Sequence, residues 1–200
     1  MKRLIFAALA AAVFTGNQAN AQDFSASAYS YPRSLYISGR LGAGWGNGDM
    51  AVTAARGFQG SIGGALGTVL NEGPYGELRA EIEFMKNQNL SDKGYTLKSS
   101  SMLFNMYANF NIDSVYSPYI GAGFGGGFIG MNGPGGKDSA NAFAYSFMAG
   151  LSRRFPDIPS MSWDMGYRYF HTSGVSMPLA GNRNVSLSTH QLMLGIRYRF

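Results

Sequence analysis

The chain has 200 residues, a formal charge of +5 and no cysteine, so neither a disulfide framework nor a thiolate metal site is available to it. Only 14% of its residues are charged, against 28 glycines, 12 tyrosines and 14 phenylalanines, whereas soluble domains carry roughly a quarter charged residues. The small positive balance gives no ground for a nucleic-acid partner, and none is expected.

In chain order, Lys2 and Arg3 precede the apolar run Leu4–Phe14 and the small residues Ala19-Asn20-Ala21. That layout is a secretory signal, because the run is shorter than the roughly 17–25 residues a membrane helix needs. Residues 1–21 are therefore expected to be a cleaved signal peptide. Residues 22–33 read as a short periplasmic lead-in ending at Pro32, and 34–200 as one domain. No later stretch approaches 18 uninterrupted apolar residues, so helical spans are excluded. In a membrane that leaves a closed barrel, the one other structure that pairs all of its backbone groups.

Eight segments have the period of two that marks a strand with one apolar face. In order they are Leu35–Trp45, Phe58–Leu66, Glu77–Phe84, Ser99–Phe110, Pro118–Phe128, Phe143–Phe155, Met161–Tyr169 and Ser188–Phe200. The third is the sharpest. Glu77, Arg79, Glu81 and Glu83 alternate with Leu78, Ala80, Ile82 and Phe84, a spacing that a 3.6-residue helix would scatter. Four charges in a row cannot face lipid, so they are expected inside, opposite arginines from other strands. The fifth strand carries Gly121, Gly123, Gly125 and Gly127 on its inner side, which would make room for those long side chains. A GxGxxG fragment falls here too, but no helix pattern follows it, which removes a dinucleotide site.

The connections alternate in expected length. Segments 46–56, 87–98, 130–141 and 170–187 read as longer loops, and 67–74, 111–117 and 156–160 as turns. The fold class is thus all-β: an antiparallel up-and-down transmembrane barrel of eight strands, with short periplasmic turns and longer extracellular loops. In a barrel of this size side chains can fill the interior.

Four stretches carry a family resemblance: Leu78–Phe84 (LRAEIEF), Ser117–Gly125 (SPYIGAGFG), Trp163–Phe170 (WDMGYRYF) and Leu194–Phe200 (LGIRYRF). With the strand plan around them, the chain resembles small bacterial outer-membrane β-barrel proteins, related to the OmpA-like transmembrane domain, porin-family surface antigens and opacity-type proteins. The resemblance implies the cell outer membrane of a Gram-negative bacterium. It implies as partners outer-membrane lipid and lipopolysaccharide, the barrel-assembly machinery and host surface molecules. It also implies that Leu194, Ile196, Tyr198 and Phe200 serve as the assembly signal. Its members include adhesins and antigens, so the expected role is envelope structure and surface interaction. A narrow solute channel is the alternative, and a lipid-modifying enzyme a third reading.

The site residues follow from the strand phases. Arg40, Glu77, Arg79, Glu81, Glu83, Asp164, Arg168, Arg197 and Arg199 are expected as a lumen network. Trp45, Trp163, Tyr167 and Tyr169, with Tyr198, are expected as lipid-facing interface aromatics. His171, Ser173 and Asp138 are the one candidate for a rim catalytic set, and the alternative is His171 as an ordinary loop histidine. No catalytic residue, cofactor or metal is expected.

Overall fold

The structure is a computed structural model describing residues 34–50, 53–92, 94–110, 115–177 and 183–200. The signal peptide, the lead-in with Pro32 and residues 111–114 lie outside the described residues.

Eight strands run in order as β1 (Leu35–Met50), β2 (Thr53–Gly73), β3 (Gly76–Asp92), β4 (Tyr95–Phe110), β5 (Ser117–Gly133), β6 (Gly136–Arg154), β7 (Met161–Met177) and β8 (Arg183–Arg199). Each pairs antiparallel with its neighbour, and β8 pairs with β1, which closes the barrel. The closing register sets Ile37 opposite Tyr198 and Trp45 opposite His190. Beyond it, Phe200 N–H donates to Leu35 C=O at 2.9 Å. Closure removes both sheet edges, which matters because an unpaired backbone group in hydrocarbon costs several kcal/mol.

The expected inner and outer phases hold on every strand. Leu41, Ile62, Ile82, Phe124, Phe147 and Leu194 are among a belt of large apolar side chains exposed around the wall. The acidic row of β3 lies on the other side of the wall, buried.

The strands run well past the expected boundaries. The segments read as long loops, 46–56, 87–98, 130–141 and 170–187, are mostly arms of paired strand. The hairpin ladder continues to Met50↔Thr53, Asp92↔Tyr95, Gly133↔Gly136 and Met177↔Arg183. Glycine permits the tight reversals at Gly94 (φ 82°) and Gly136 (φ 123°), where a Cβ would be strained.

These arms hide because their polarity is reversed. Below them the wall is apolar outside and charged inside. In the arms the inward positions turn apolar: Leu90, Leu97, Leu103, Ile129, Met131, Phe170, Val185 and Leu187 form one buried cluster. The outward positions turn polar, as with Lys98 beside Leu97 and Ser186 beside Leu187. On β4, β5 and β8 the strand phase holds and the chemistry of the two faces exchanges; on β3 the inward set passes from Asn87 to Leu90, a shift of phase by one residue. Bulges between Asn87 and Leu90 and between Thr172 and Val175 fall in the same arms.

The inner-face glycines also differ in purpose from the expectation. A Cβ at Gly121 would run into the ring of Tyr107, and one at Gly123 into the side chain of Asn105. Both belong to the adjacent β4. The glycines seat neighbouring side chains and do not make space for the Glu and Arg row. Gly67 plays the same part for Tyr36.

If the arms are a packed crown, Leu97→Ala should cost about 2–5 kcal/mol in urea unfolding from micelles, while Lys98→Ala should cost less than about 0.5 kcal/mol. Two near-neutral results are what a loop would give.

Candidate functional site: the lumen and the outer wall

The lumen network starts from β3, whose inward positions bring Glu77, Arg79, Glu81 and Glu83 onto one line. Arg40 on β1 reaches across to it. Its guanidinium binds both oxygens of Glu81, with Nη2 donating to Oε2 at 2.9 Å, and Glu83 Oε2 at 2.5 Å. Tyr36 O–H donates to Glu81 at 3.1 Å, and Asn105 Nδ2 approaches the same carboxylate at 3.4 Å. Arg168 from β7 pairs with the other oxygen of Glu83 at 2.8 Å.

Arg79 occupies the centre, 1% exposed. It lies 3.9 Å from both Glu81 and Asp164, and its Nε donates to Asn109 Oδ1 at 3.2 Å. Its guanidinium sits over the Tyr107 ring at 4.1 Å from the centroid, a cation–π contact in a desolvated place. Arg197 extends the network downward to Glu77 (3.1 Å), Asp164 (3.5 Å), Ser162 (2.9 Å) and Ser152 (3.2 Å). Arg199 pairs with Glu77 and, at 2.9 Å, with Glu72.

All nine expected lumen residues therefore meet in one network. The sequence reading missed Glu72 and Arg154, which pair with one another at the mouth. They lie in segments read as a turn and a strand end, where the alternation had faded. Its lumen set also leaves out the neutral partners Tyr36, Asn105, Tyr107 and Asn109, although the strand phases already place each of them inward. With Glu72 and Arg154 included, six arginines face five carboxylates, so nearly every buried charge has an opposite. That balance makes the network tolerable, since a buried charge costs several kcal/mol unless paired.

The network fills the space it occupies. The cavity among Arg40, Arg79, Glu83 and Arg168 is about 20 Å³, room for about one water and not for a continuous aqueous passage. Above it, the apolar cluster of the crown closes the lumen again.

The outer wall carries the remaining candidates. Trp45 is 65% exposed and packs edge-on against Phe58. Trp163 is on the same outward face near the opposite end, against Tyr116. Tyr167 and Tyr169 belong to a continuous ring patch with Tyr145, His171 and His190. Tyr167 O–H is 2.5 Å from His190 Nδ1, which satisfies both polar groups on an apolar wall. Leu194, Ile196 and Tyr198 face outward on β8, and Phe200, one residue beyond its end, is exposed and packs edge to face with Tyr198.

His171 is a strand residue, not a loop histidine. It does not assemble with Ser173 and Asp138. Ser173 Oγ donates to Phe143 C=O at 3.1 Å, and Asp138 Oδ1 accepts from Ser139 N–H. His171 pairs with Tyr145 of β6, seven residues from Asp138 and so about 20 Å along the strand. The partner it does find is Ser188 on β8, with Oγ 2.8 Å from Nδ1. A hydroxyl and an imidazole at that distance can exchange a proton.

Comparison with known proteins agrees with this geometry. The family model described as the outer membrane protein beta-barrel domain matches residues 6–200, and the chain belongs to that family. No curated protein matches. Neisserial surface protein A is similar at 20% identity and a TM-score of 0.60, covering 83% of this chain and 97% of that one. The attachment invasion locus protein Ail of Yersinia pestis is similar at 18% identity and a TM-score of 0.50, covering 84% and 99%. The outer membrane enzyme PagL is similar at 17% identity and a TM-score of 0.50, covering 78% and 97%. At these identities the likeness concerns the fold. The protein is an outer-membrane barrel of a Gram-negative bacterium, with both described chain ends on the periplasmic side and the crown outside.

Arg79→Ala should lower stability by about 2–5 kcal/mol, because it empties the buried centre of the network and removes the donor to Asn109 Oδ1 and the cation over Tyr107, although Glu81 keeps Arg40 and Asp164 keeps Arg197; Arg199→Ala at the wet mouth should cost less than about 1 kcal/mol. Urea unfolding followed by the loss of the compact, heat-modifiable gel band measures both.

Proposed function

We propose that this member of the outer-membrane β-barrel family is a surface protein with a closed lumen, contributing to envelope structure and meeting surface partners through its crown. One observation carries the reading: the interior is filled twice, by a charge network at membrane level and by an apolar cluster above it. A hydrated ion would have to break the first and wet the second. The exterior of the crown, by contrast, is a paired and polar surface held at fixed geometry, which suits recognition of host surface molecules. Two proteins of the same fold are named for the surface and for attachment, Neisserial surface protein A and the Yersinia attachment invasion locus protein. The exposed row Leu194, Ile196, Tyr198 and Phe200 on the closing strand is the part offered to the barrel-assembly machinery.

A lipid-modifying activity has one observation in its favour, the Ser188–His171 pair on the outer wall just above the apolar belt. It would appear as acyl release from outer-leaflet lipid by the purified protein, abolished in His171→Ala.

The protein in planar bilayers should give no unitary conductance steps. Stable steps whose size changes in Glu81→Ala or Arg79→Ala would establish a channel through the network and overturn the closed-lumen reading.

A further inference from the structure

A broad depression lies on the outside of the barrel, not in its lumen. It has a volume of about 800 Å³ and lies across β3, β4, β5 and β6, lined among others by Phe84, Lys86, Lys98, Phe128, Ser139 and Asn141. The ladder explains its shape. Lys86 stands opposite Ser100, and Lys98, two residues along the same outward face, stands opposite Gly130. Gly130 stands in turn opposite Ser139. A glycine between a lysine and a serine leaves the wall open at that point: a Cβ there would meet nothing nearer than 3.9 Å.

The depression lies on the line where the wall changes chemistry. Phe84 precedes Lys86 by two residues on one outward face, and Phe128 precedes Gly130 by two on another. Each step of two residues is about 7 Å along a strand. Both phenylalanines belong to the exposed apolar belt, and both lysines are exposed above it. Among the described residues, the outward positions of β3 to β6 at this level carry no carboxylate. Asp138 takes the inward phase of β6 and accepts from Ser139 N–H.

We propose that this groove binds the phosphorylated, acylated sugar headgroup of the outer-leaflet glycolipid. The two ammonium groups take phosphate, Ser139, Ser100 and Asn141 take sugar hydroxyls, and Phe84 and Phe128 pack against the first part of the acyl chains. Charge complementarity selects an anion. The aromatic row directly beneath selects an amphiphile over a soluble one, because only a ligand with acyl chains reaches both levels. The proposal concerns the outer wall and is independent of whether the lumen conducts.

Native mass spectrometry of the full mature barrel in non-ionic detergent tests it, with bisphosphorylated lipid A, its dephosphorylated form, the deacylated bisphosphorylated disaccharide and inorganic phosphate as probes. The protein should take up one equivalent of the phosphorylated lipid. Removing the phosphates or the acyl chains should weaken binding at least tenfold, and so should Lys86→Ala with Lys98→Ala. Lys86→Arg with Lys98→Arg should restore most of it, and inorganic phosphate should not compete. Arg56→Ala, an exposed cation on β2, should leave binding unchanged. Equal binding by the double alanine variant, an equal loss in Arg56→Ala, or equal binding of the deacylated sugar would each overturn the site. Heat-modifiable migration shows that every variant compared is folded.

Discussion

Everything in this molecule depends on the β1–β8 pairing that closes the sheet. In hydrocarbon a strand edge has no water to satisfy its N–H and C=O groups, so an open sheet of this sequence could not sit in a bilayer. Once the ring is closed, each residue has only two destinations, lipid or lumen, and the period of two assigns them. The acidic row of β3 has to go inward because lipid will not take it. The arginines of β1, β7 and β8 have to follow, because a row of buried carboxylates without cations would cost more than the fold can supply. The network is therefore a consequence of closure and of strand phase, set by where Arg40, Arg168 and Arg197 fall in register against β3.

The same closure extends past the membrane, and there the solvent on the outside is water. The rule that put apolar groups outward now puts them inward. The two halves of the barrel thus have opposite polarity with one continuous ladder, and the transition runs through residues such as Lys86, Lys98, Asn141 and His190. On that line the outer wall carries both an apolar and a cationic or polar group within one step of a strand. It is where the wall has its aromatic–histidine patch and its basic groove, so the surfaces available for chemistry and for recognition are products of the polarity change.

Much of this was legible in the residues. The strand count, the phase of every strand, the closing strand and all nine charged lumen residues follow from alternation alone. What was not legible has a single physical cause. Below the arms the strands are marked by apolar residues on the outward phase, and in the arms that phase carries Thr96, Lys98, Ser100, Ser186 and Ser188. The alternation is still there in Leu97 beside Thr96 and Lys98, and in Val185 and Leu187 beside Ser186, but with the faces exchanged, so these polar arms read as loops. The same truncation hid the Ser188–His171 pair, since β7 was ended before His171 and the partner across the ladder could not be assigned. The purpose of the β5 glycines was misjudged for another reason. Sequence shows that space is left, and only the register shows that Tyr107 and Asn105 take it.

The most direct measurement is amide hydrogen exchange, residue by residue, with the protein in a lipid bilayer. If one closed ladder runs from the periplasmic turns to the outer hairpins, the amides of Leu97, Ile129 and Leu187 should be protected on the same timescale as that of Asn105 in the middle of the barrel. Exchange of those three as fast as an unstructured peptide, with Asn105 still protected, would contradict it and return the arms to loops.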